Sequence, residues 1–498
     1  MTDVQWSTLL PIVCYFGLMY LIGFYALELV NKASLLKGGS GSAFMEEYMT
    51  GGRRTGGFVL AMTLVATYLS AGSFIGGPGT AYTHGLAWVF LAMSQIPTGY
   101  YTLMVLGKKF AIVSRKTGAN SISDFLRARY ESNAVLIIAS VSIIFFLIAA
   151  MAAQLIGASR LLQGSTGLEY KTALVFFAIT VVVHTAVGGF RGVVFNDTLQ
   201  GVVMTVSTAA LFIAIVSQGG GIAKIVQDMK AINPGMISPY GVREGFMTVP
   251  WVSSFWVLVG FAIIGLPAVA QRAMSYKDSK SLHSGIIYGT IVSLVLLMGM
   301  HLAGAFGVTQ VSGIKSGDLV IPTLITNLFN PVVAGIILAG PLAAVMSTVD
   351  SQLLVVVAAI VNDLLVNYIK PELKANFKKL RSITIVTCCI VGAIVVALAF
   401  DPPELMVWLN LFATAGQLST FLWPTILGLY WKDANAPGAI AGMVTGIGTY
   451  LYFHYFLARP LAMHPIVPSL ALSLVAFIVV AKMTKKPSEK VVRLFWEL

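Results

Sequence analysis

Ser70-Ala71-Gly72-Ser73-Phe74-Ile75-Gly76-Gly77-Pro78-Gly79 interrupts an apolar segment that runs over 57–82. Glycine weakens a helix, and proline removes a donor and clashes with the preceding turn. The segment is still long enough to cross a bilayer, which takes about 20 apolar residues. A second segment, over 250–270, carries Gly260, Gly265 and Pro267. At membrane depth such breaks are tolerated where the freed backbone faces protein or a cavity.

The rest of the chain fits a membrane setting. Of 498 residues, 57% are hydrophobic and only 10% charged, and the mean hydropathy is +0.84. Soluble proteins carry roughly 25% charged residues, so a soluble enzyme of this composition would lack the polar surface to cover its core. Stretches of spanning length run roughly over 8–28, 57–82, 84–106, 133–162, 171–189, 193–217, 250–270, 283–308, 331–358, 382–400, 405–430, 436–457 and 465–483. That predicts an all-α polytopic protein with about 13 transmembrane helices in one domain over 1–498. Met1 to Trp6 lacks the positive region of a cleaved signal peptide, so the first run is expected to stay.

The net charge of +12 does not point to nucleic acid, because the basic residues sit between apolar runs and form no extended patch. Their distribution sets orientation instead. With the N-terminus outside, about 25 Lys and Arg fall in inner loops and about 7 in outer ones. The inner groups include Arg53, Arg54, Lys108, Lys109, Arg115, Lys116, Lys370, Lys378, Lys379, Arg381, Lys485 and Lys486. The C-terminus is then inside. Lys37-Gly38-Gly39-Ser40-Gly41-Ser42, in the loop over 29–56, reads as a flexible linker. Cys14, Cys388 and Cys389 read as small apolar helix residues. His84, His184, His283, His301, His454 and His464 show no metal spacing and read as solvated or packed.

Position gives the breaks their meaning. With the run over 8–28 set aside, the broken segments each open a block of five helices, over 57–217 and 250–430. Two further helices follow over 436–483. Five is odd, so the blocks have opposite orientation. Corresponding interrupted helices in inverted repeats point to a secondary transporter's binding site. A pair of ordinary proline kinks is the plain alternative. A channel would want a selectivity filter or charged rings, and an ATP-driven pump a phosphate loop; neither motif occurs.

The ninth segment reads Pro341-Leu342-Ala343-Ala344-Val345-Met346-Ser347-Thr348-Val349-Asp350-Ser351-Gln352. Ala344, Ser347, Thr348 and Ser351 share one helix face. Two hydroxyls and a free backbone carbonyl are hard oxygen ligands for a hard cation. Carbonyls freed near Ala66 and Leu69 would complete the shell. Small residues for close helix packing are the competing reading. Asp197 and Asp350 lie in or at the ends of apolar segments, where a carboxylate marks function by default. Helix capping is the alternative for Asp197.

These residues also resemble the sodium/solute symporter family, over about 8–483. Gly188-Gly189-Phe190-Arg191 followed by Asn196-Asp197-Thr198-Leu199-Gln200 is similar to its signature, and Ala344-Val345-Met346-Ser347-Thr348 to its sodium-binding stretch. Within the family, five stretches look like those of its pantothenate carriers. They are Ser73-Phe74-Ile75-Gly76-Gly77-Pro78-Gly79, Ser275-Tyr276-Lys277-Asp278-Ser279-Lys280, Gly299-Met300-His301-Leu302-Ala303-Gly304, Asp318-Leu319-Val320-Ile321-Pro322-Thr323 and His464-Pro465-Ile466-Val467-Pro468-Ser469.

The resemblance implies a leucine-transporter-like fold of inverted repeats that takes up a solute with co-transported sodium, by alternating access, across a bacterial inner membrane. It puts a sodium ion on Ala66, Leu69, Ala344, Ser347 and Thr348. A second sodium, found in some members, falls on Asp197, Asp350 and Ser351, although a carboxylate at 350 departs from their hydroxyl. The implied solute is pantothenate. Another small organic anion or an amino acid such as proline is the runner-up, and a sodium-dependent sensor is the rival from another class. Apolar Val257, Leu258 and Val259 stand where sugar carriers have polar residues. The chain carries no long signalling domain after Lys482, which is expected to disfavour a sensor. Between the broken helices, Ser70, Gln95, Gln154, Trp256 and Gln417 are candidate solute contacts, with Arg160 a possible recruiter. No obligate protein partner is expected.

Overall fold

A backbone inside a bilayer must satisfy its hydrogen bonds within itself, and this one does so with helices. The computed structural model describes residues 4–36, 47–48, 53–314, 316–402, 405–457 and 459–497. Among them the only β-pairing is one isolated bridge, Thr55 to Tyr276. Lys37 to Ser42, read as a linker, lies outside the described residues.

Among the described residues, seven helices are long and apolar enough to cross a membrane, and up to ten if each of three bent pairs counts as one span. Both expected breaks are present. Gly57–Tyr68 and Gly72–His84 meet at a bend of 72°, and Val249–Gly265 and Pro267–Ala273 at 55°. At the first, Leu69 is extended, with φ −84° and ψ 117°. At the second, Leu266 is extended and Pro267 starts the next helix, where its missing N–H costs nothing. A third bend, of 48°, joins Leu86–Val105 to Gly107–Thr117 and was not expected.

The expected spans over 171–189 and 193–217 run end to end as Tyr170–Gln218, kinked where Gly189 takes φ 55° and ψ −160°. Only glycine visits that region without strain, and a Cβ there would lie 2.5 Å from the Tyr48 ring. Helices also form at Met406–Tyr430 and Ala436–Tyr452, but neither belongs to the seven.

Pro331–Ile369 is the central element, with 83% of its apolar window buried. Gly57–Tyr68, Asn133–Thr166 and Tyr170–Gln218 pack around its Pro331–Val357 helix. Lipid tails are as apolar as leucine, so close backbone approach holds such helices together. A Cβ on Gly304 would lie 2.2 Å from the Pro78 carbonyl, so this glycine lets the helix Ser279–Gly307 rest on the broken segment. Exposed Leu21, Phe145, Ile213, Ile291 and Ile390 ring the outside, as a lipid-facing surface requires.

Gly304→Ala should therefore lower the thermal stability of detergent-purified protein, by about 1–3 kcal/mol of overpacking. Gly448→Ala has nothing within 4 Å and serves as control. Equal melting of the two variants by fluorescence-detected size exclusion would contradict this packing.

Candidate functional site

The site begins where Gly57–Tyr68 stops. The last amide to return to the preceding turn is that of Leu69, which donates to the Val65 carbonyl at 2.9 Å. The Ala71 N–H donates to Gln154 Oε1 at 2.8 Å, and the Gly72 N–H to Ser70 Oγ at 3.1 Å. The carbonyls before the break face the central helix. Ser347 Oγ lies 2.9 Å from the Ala66 carbonyl oxygen. Thr348 Oγ1 lies 3.2 Å from that of Leu69 and 3.5 Å from that of Ala66. Both hydroxyls also reach the Ala344 carbonyl, at 3.1 and 2.8 Å. All five residues expected at the first sodium position thus meet in one place, and all are buried.

The donor set comprises three carbonyls and two hydroxyls, all hard oxygens and none charged. A hard cation fits such ligands, and a soft metal does not. A monovalent ion fits better than a divalent one, whose larger desolvation cost would need carboxylates. Among the described residues no group of three or more His, Cys, Asp and Glu could hold a metal.

The residues expected to form a second sodium position are arranged differently. Asp197 accepts from Thr63 Oγ1 at 2.5 Å and pairs with Arg272 Nη2 at 3.4 Å. The same Arg272 nitrogen donates to Ser351 Oγ. A guanidinium therefore already bridges Asp197 and Ser351. Asp350 is rotated by about 100° from Ser351 on the helix. It accepts from Thr185 Oγ1 at 2.5 Å and lies 3.1 Å from His184 Nδ1. His184 Nε2 in turn meets the Asn196 side-chain amide. Asp197, Arg272, His184 and Asp350 all have fully buried side chains, where an unpaired charge would be strongly destabilising. His184 is thus not merely packed. Arg272 escaped the sequence reading because it falls two residues beyond the expected span over 250–270; an Arg so close to an apolar run was the available signal.

Beside the hydroxyl site lies a cavity of about 760 Å³, its mouth included. Thr348 lines it, as do Ser70 and Gln95. Gln154 stands behind the wall, fully buried, and donates to Asn410 Oδ1 at 2.9 Å. Two expected contacts are elsewhere. Trp256 is 43% exposed and outside the lining, because the wide turn Trp256–Gly260 aims it outward. Gln417 is buried against its own helix, donating to the Ala413 carbonyl at 3.4 Å. The lining adds Trp88, His301, Gln352 and Asn410, none of them marked as solute contacts by sequence. His301, read as packed or solvated, has Nδ1 2.9 Å from the Leu297 carbonyl. Trp88 has a buried indole N–H without a hydrogen-bond partner among the described residues. Among the described residues, no Asp, Glu, Lys or Arg lines the cavity.

Arg160 pairs with buried Asp318 instead of standing alone. Asp318 also accepts from the Met406 N–H at 3.4 Å. Burial pushes its carboxyl above the ordinary range, and Arg160 draws it part of the way back. Arg160 lines a separate opening with Tyr82, Gln163 and Gly317.

Known proteins are similar to this chain. The model of the sodium:solute symporter family matches residues 48–446. The chain is 45% identical to the sodium/pantothenate symporter of Escherichia coli strain K12 over 476 residues, 96% of each chain. It is 41% identical to the Haemophilus influenzae protein of the same name, over 97% of each. A sodium-coupled sialic acid symporter, solved in a substrate-bound outward-open state, superposes with a TM-score of 0.79 at 19% identity. The match covers 98% of this chain and 100% of that one, which shows a shared fold. The chain belongs to the sodium:solute symporter family.

Proposed function

We propose that this protein takes up pantothenate with co-transported sodium, by alternating access, across a bacterial inner membrane. The observation that carries the sodium half is the meeting of Ser347 and Thr348 with the carbonyls of Ala66 and Leu69 at the helix break. The solute half is supported by two relatives named as sodium/pantothenate symporters, 45% and 41% identical over nearly the whole chain. The cavity agrees with it. Pantothenate is a monoanion at neutral pH, since a carboxyl group titrates near pH 4. The Trp88 indole N–H and the Asn410 amide can donate to its carboxylate and amide oxygens, while among the described residues no acidic side chain lines the cavity to meet the ammonium group of an amino acid such as proline. Ser70 and Gln95 complete the polar wall.

In this reading the chain has thirteen spans, with the N-terminus outside and the C-terminus inside. The kinked Tyr170–Gln218 counts as two spans, and Met406–Tyr430 and Ala436–Tyr452 as one each. The inverted repeats run over 57–217 and 250–430, with 8–28 preceding them and 436–483 following. Each repeat opens on a bent helix pair, and the bends of 72° and 55° support that division. The solute sits between the two breaks, near the bilayer midplane.

One sodium ion is coupled to each solute. Asp197 and Ser351 share Arg272, so a tethered cation takes the position where a second sodium was expected. One sodium with one monoanion moves no net charge, and uptake then runs on the sodium gradient. A second sodium on Asp197, Asp350 and Ser351 would make each cycle carry one positive charge inward. The membrane potential would then add about 2.3 kcal/mol per 100 mV.

Two experiments separate these statements. Ser347→Ala with Thr348→Ala removes both hydroxyl ligands. The half-saturating sodium concentration for pantothenate uptake into proteoliposomes should rise at least about 10-fold, equivalent to about 1.4 kcal/mol. An unchanged sodium requirement in a correctly inserted double variant would refute the site. For stoichiometry, wild-type uptake should produce no current and no response to a clamped potential. One charge per pantothenate would reinstate the second sodium.

A further inference from the structure

Gln154 is fully buried in the helix Asn133–Thr166, at the depth of the break. A buried primary amide is costly unless its groups are bonded. Both ends of this one are engaged, on two different elements. Its Oε1 accepts the Ala71 N–H at 2.8 Å, and its Nε2 donates to Asn410 Oδ1 at 2.9 Å. The backbone donor dictates the orientation, because a flipped amide would set N–H against N–H. Asn410 Oδ1 must then accept, which leaves Asn410 Nδ2 as a donor. That nitrogen rests on the unwound segment, 3.0 Å from where a Cβ on Gly72 would stand, and Asn410 lines the cavity. A run of hydrogen bonds with one polarity therefore leads from the Ala71 backbone through Gln154 to the cavity wall.

The same stretch of backbone carries the cation site. Leu69, two residues before Ala71, offers its carbonyl to Thr348, and Ala66 offers its own to Ser347. The segment over 69–72 is thus held by the cation ligands on one side and by Gln154 on the other. Its neighbours are tight. A Cβ on Gly157, one turn from Gln154, would lie 2.9 Å from the Ala71 Cβ and 2.8 Å from Met406 Cε. A displacement of Asn410 by solute has little room to dissipate before it reaches Ala71.

We propose that Gln154 is the positioning residue that couples solute to sodium, transmitting contact at Asn410 to the carbonyls of the unwound segment. The proposal rests on the sodium-coupled reading above. Gln154 touches no solute. It holds Asn410 by Oδ1, leaves Asn410 Nδ2 as the free donor, and ties that side chain to the backbone that ligates the cation. Coupling between two sites is reciprocal and is commonly worth about 5- to 150-fold in affinity. Sodium binding should raise solute affinity by such a factor, and the factor should pass through Gln154.

The test measures labelled pantothenate binding to the purified full-length protein at low and at saturating sodium. It compares wild type, Gln154→Leu, Asn410→Ala and the double variant. In wild type, sodium should raise the affinity at least about 5-fold. Gln154→Leu should bring that ratio close to one while binding at saturating sodium persists, a split that general loosening of the fold would not produce. Asn410→Ala, a change at the cavity wall that serves equally if Gln154→Leu misfolds, should reduce the ratio in the same way. The double variant should lower it no further. A wild-type ratio in either single variant, or independent effects that multiply in the double variant, would overturn the relay. A wild-type protein whose pantothenate binding ignores sodium would instead overturn the functional reading, and the relay with it.

Discussion

A helix that stops inside a membrane leaves carbonyls without partners, and the structure around residues 66–72 answers that constraint. Water cannot satisfy these groups at that depth. Ser347 and Thr348, from the central helix, meet these carbonyls; Gln154, from Asn133–Thr166, accepts the freed Ala71 N–H; and Asn410, from Met406–Tyr430, rests on Gly72. The proposed cation ligands and the proposed solute wall are two sides of one solution to a backbone problem. Their adjacency follows from it, since Thr348 serves the carbonyls and lines the cavity as well.

The second constraint is charge. Two carboxylates, Asp197 and Asp350, are fully buried near the helix centre, and each has been given its own partner. Arg272 reaches Asp197 from the element that follows the second break, Pro267–Ala273. A buried pair of this kind is weak evidence of added stability, because desolvation offsets much of the attraction. Its value lies in joining separate elements. The ion pair and the Thr63 hydroxyl bind the first broken helix, the second broken helix and the kinked helix into one cluster. His184 does the same between the kinked helix and the central one through Asp350.

Much of this was legible in the sequence. The helical membrane architecture follows from 10% charged residues and repeated apolar runs, because no other solvent suits such a chain. Both breaks could be read from Gly76-Gly77-Pro78-Gly79 and Pro267, since glycine and proline act locally whatever surrounds them. The hydroxyl cluster proposed to hold the cation was legible for a related reason. Ala344, Ser347 and Thr348 are three and four residues apart, a spacing that helix geometry turns into one face. The carbonyls they need belong to the break itself.

What depends on a meeting of distant side chains was not legible. Trp256 and Gln417 looked like cavity residues because they are large polar-capable groups in the right helices. Their direction depends on a wide turn and on packing that residue type does not encode. Arg272 lies just beyond the expected span over 250–270, and folding carries it to Asp197, 75 positions earlier in the chain. Local periodicity therefore determined the helices, their breaks and one hydroxyl-bearing face from the sequence alone. Only the tertiary structure decided which polar atoms oppose one another across helices. Buried hydrogen bonds and ion pairs act over about 3 Å, and nothing short of the packed bundle brings groups from three helices within that distance.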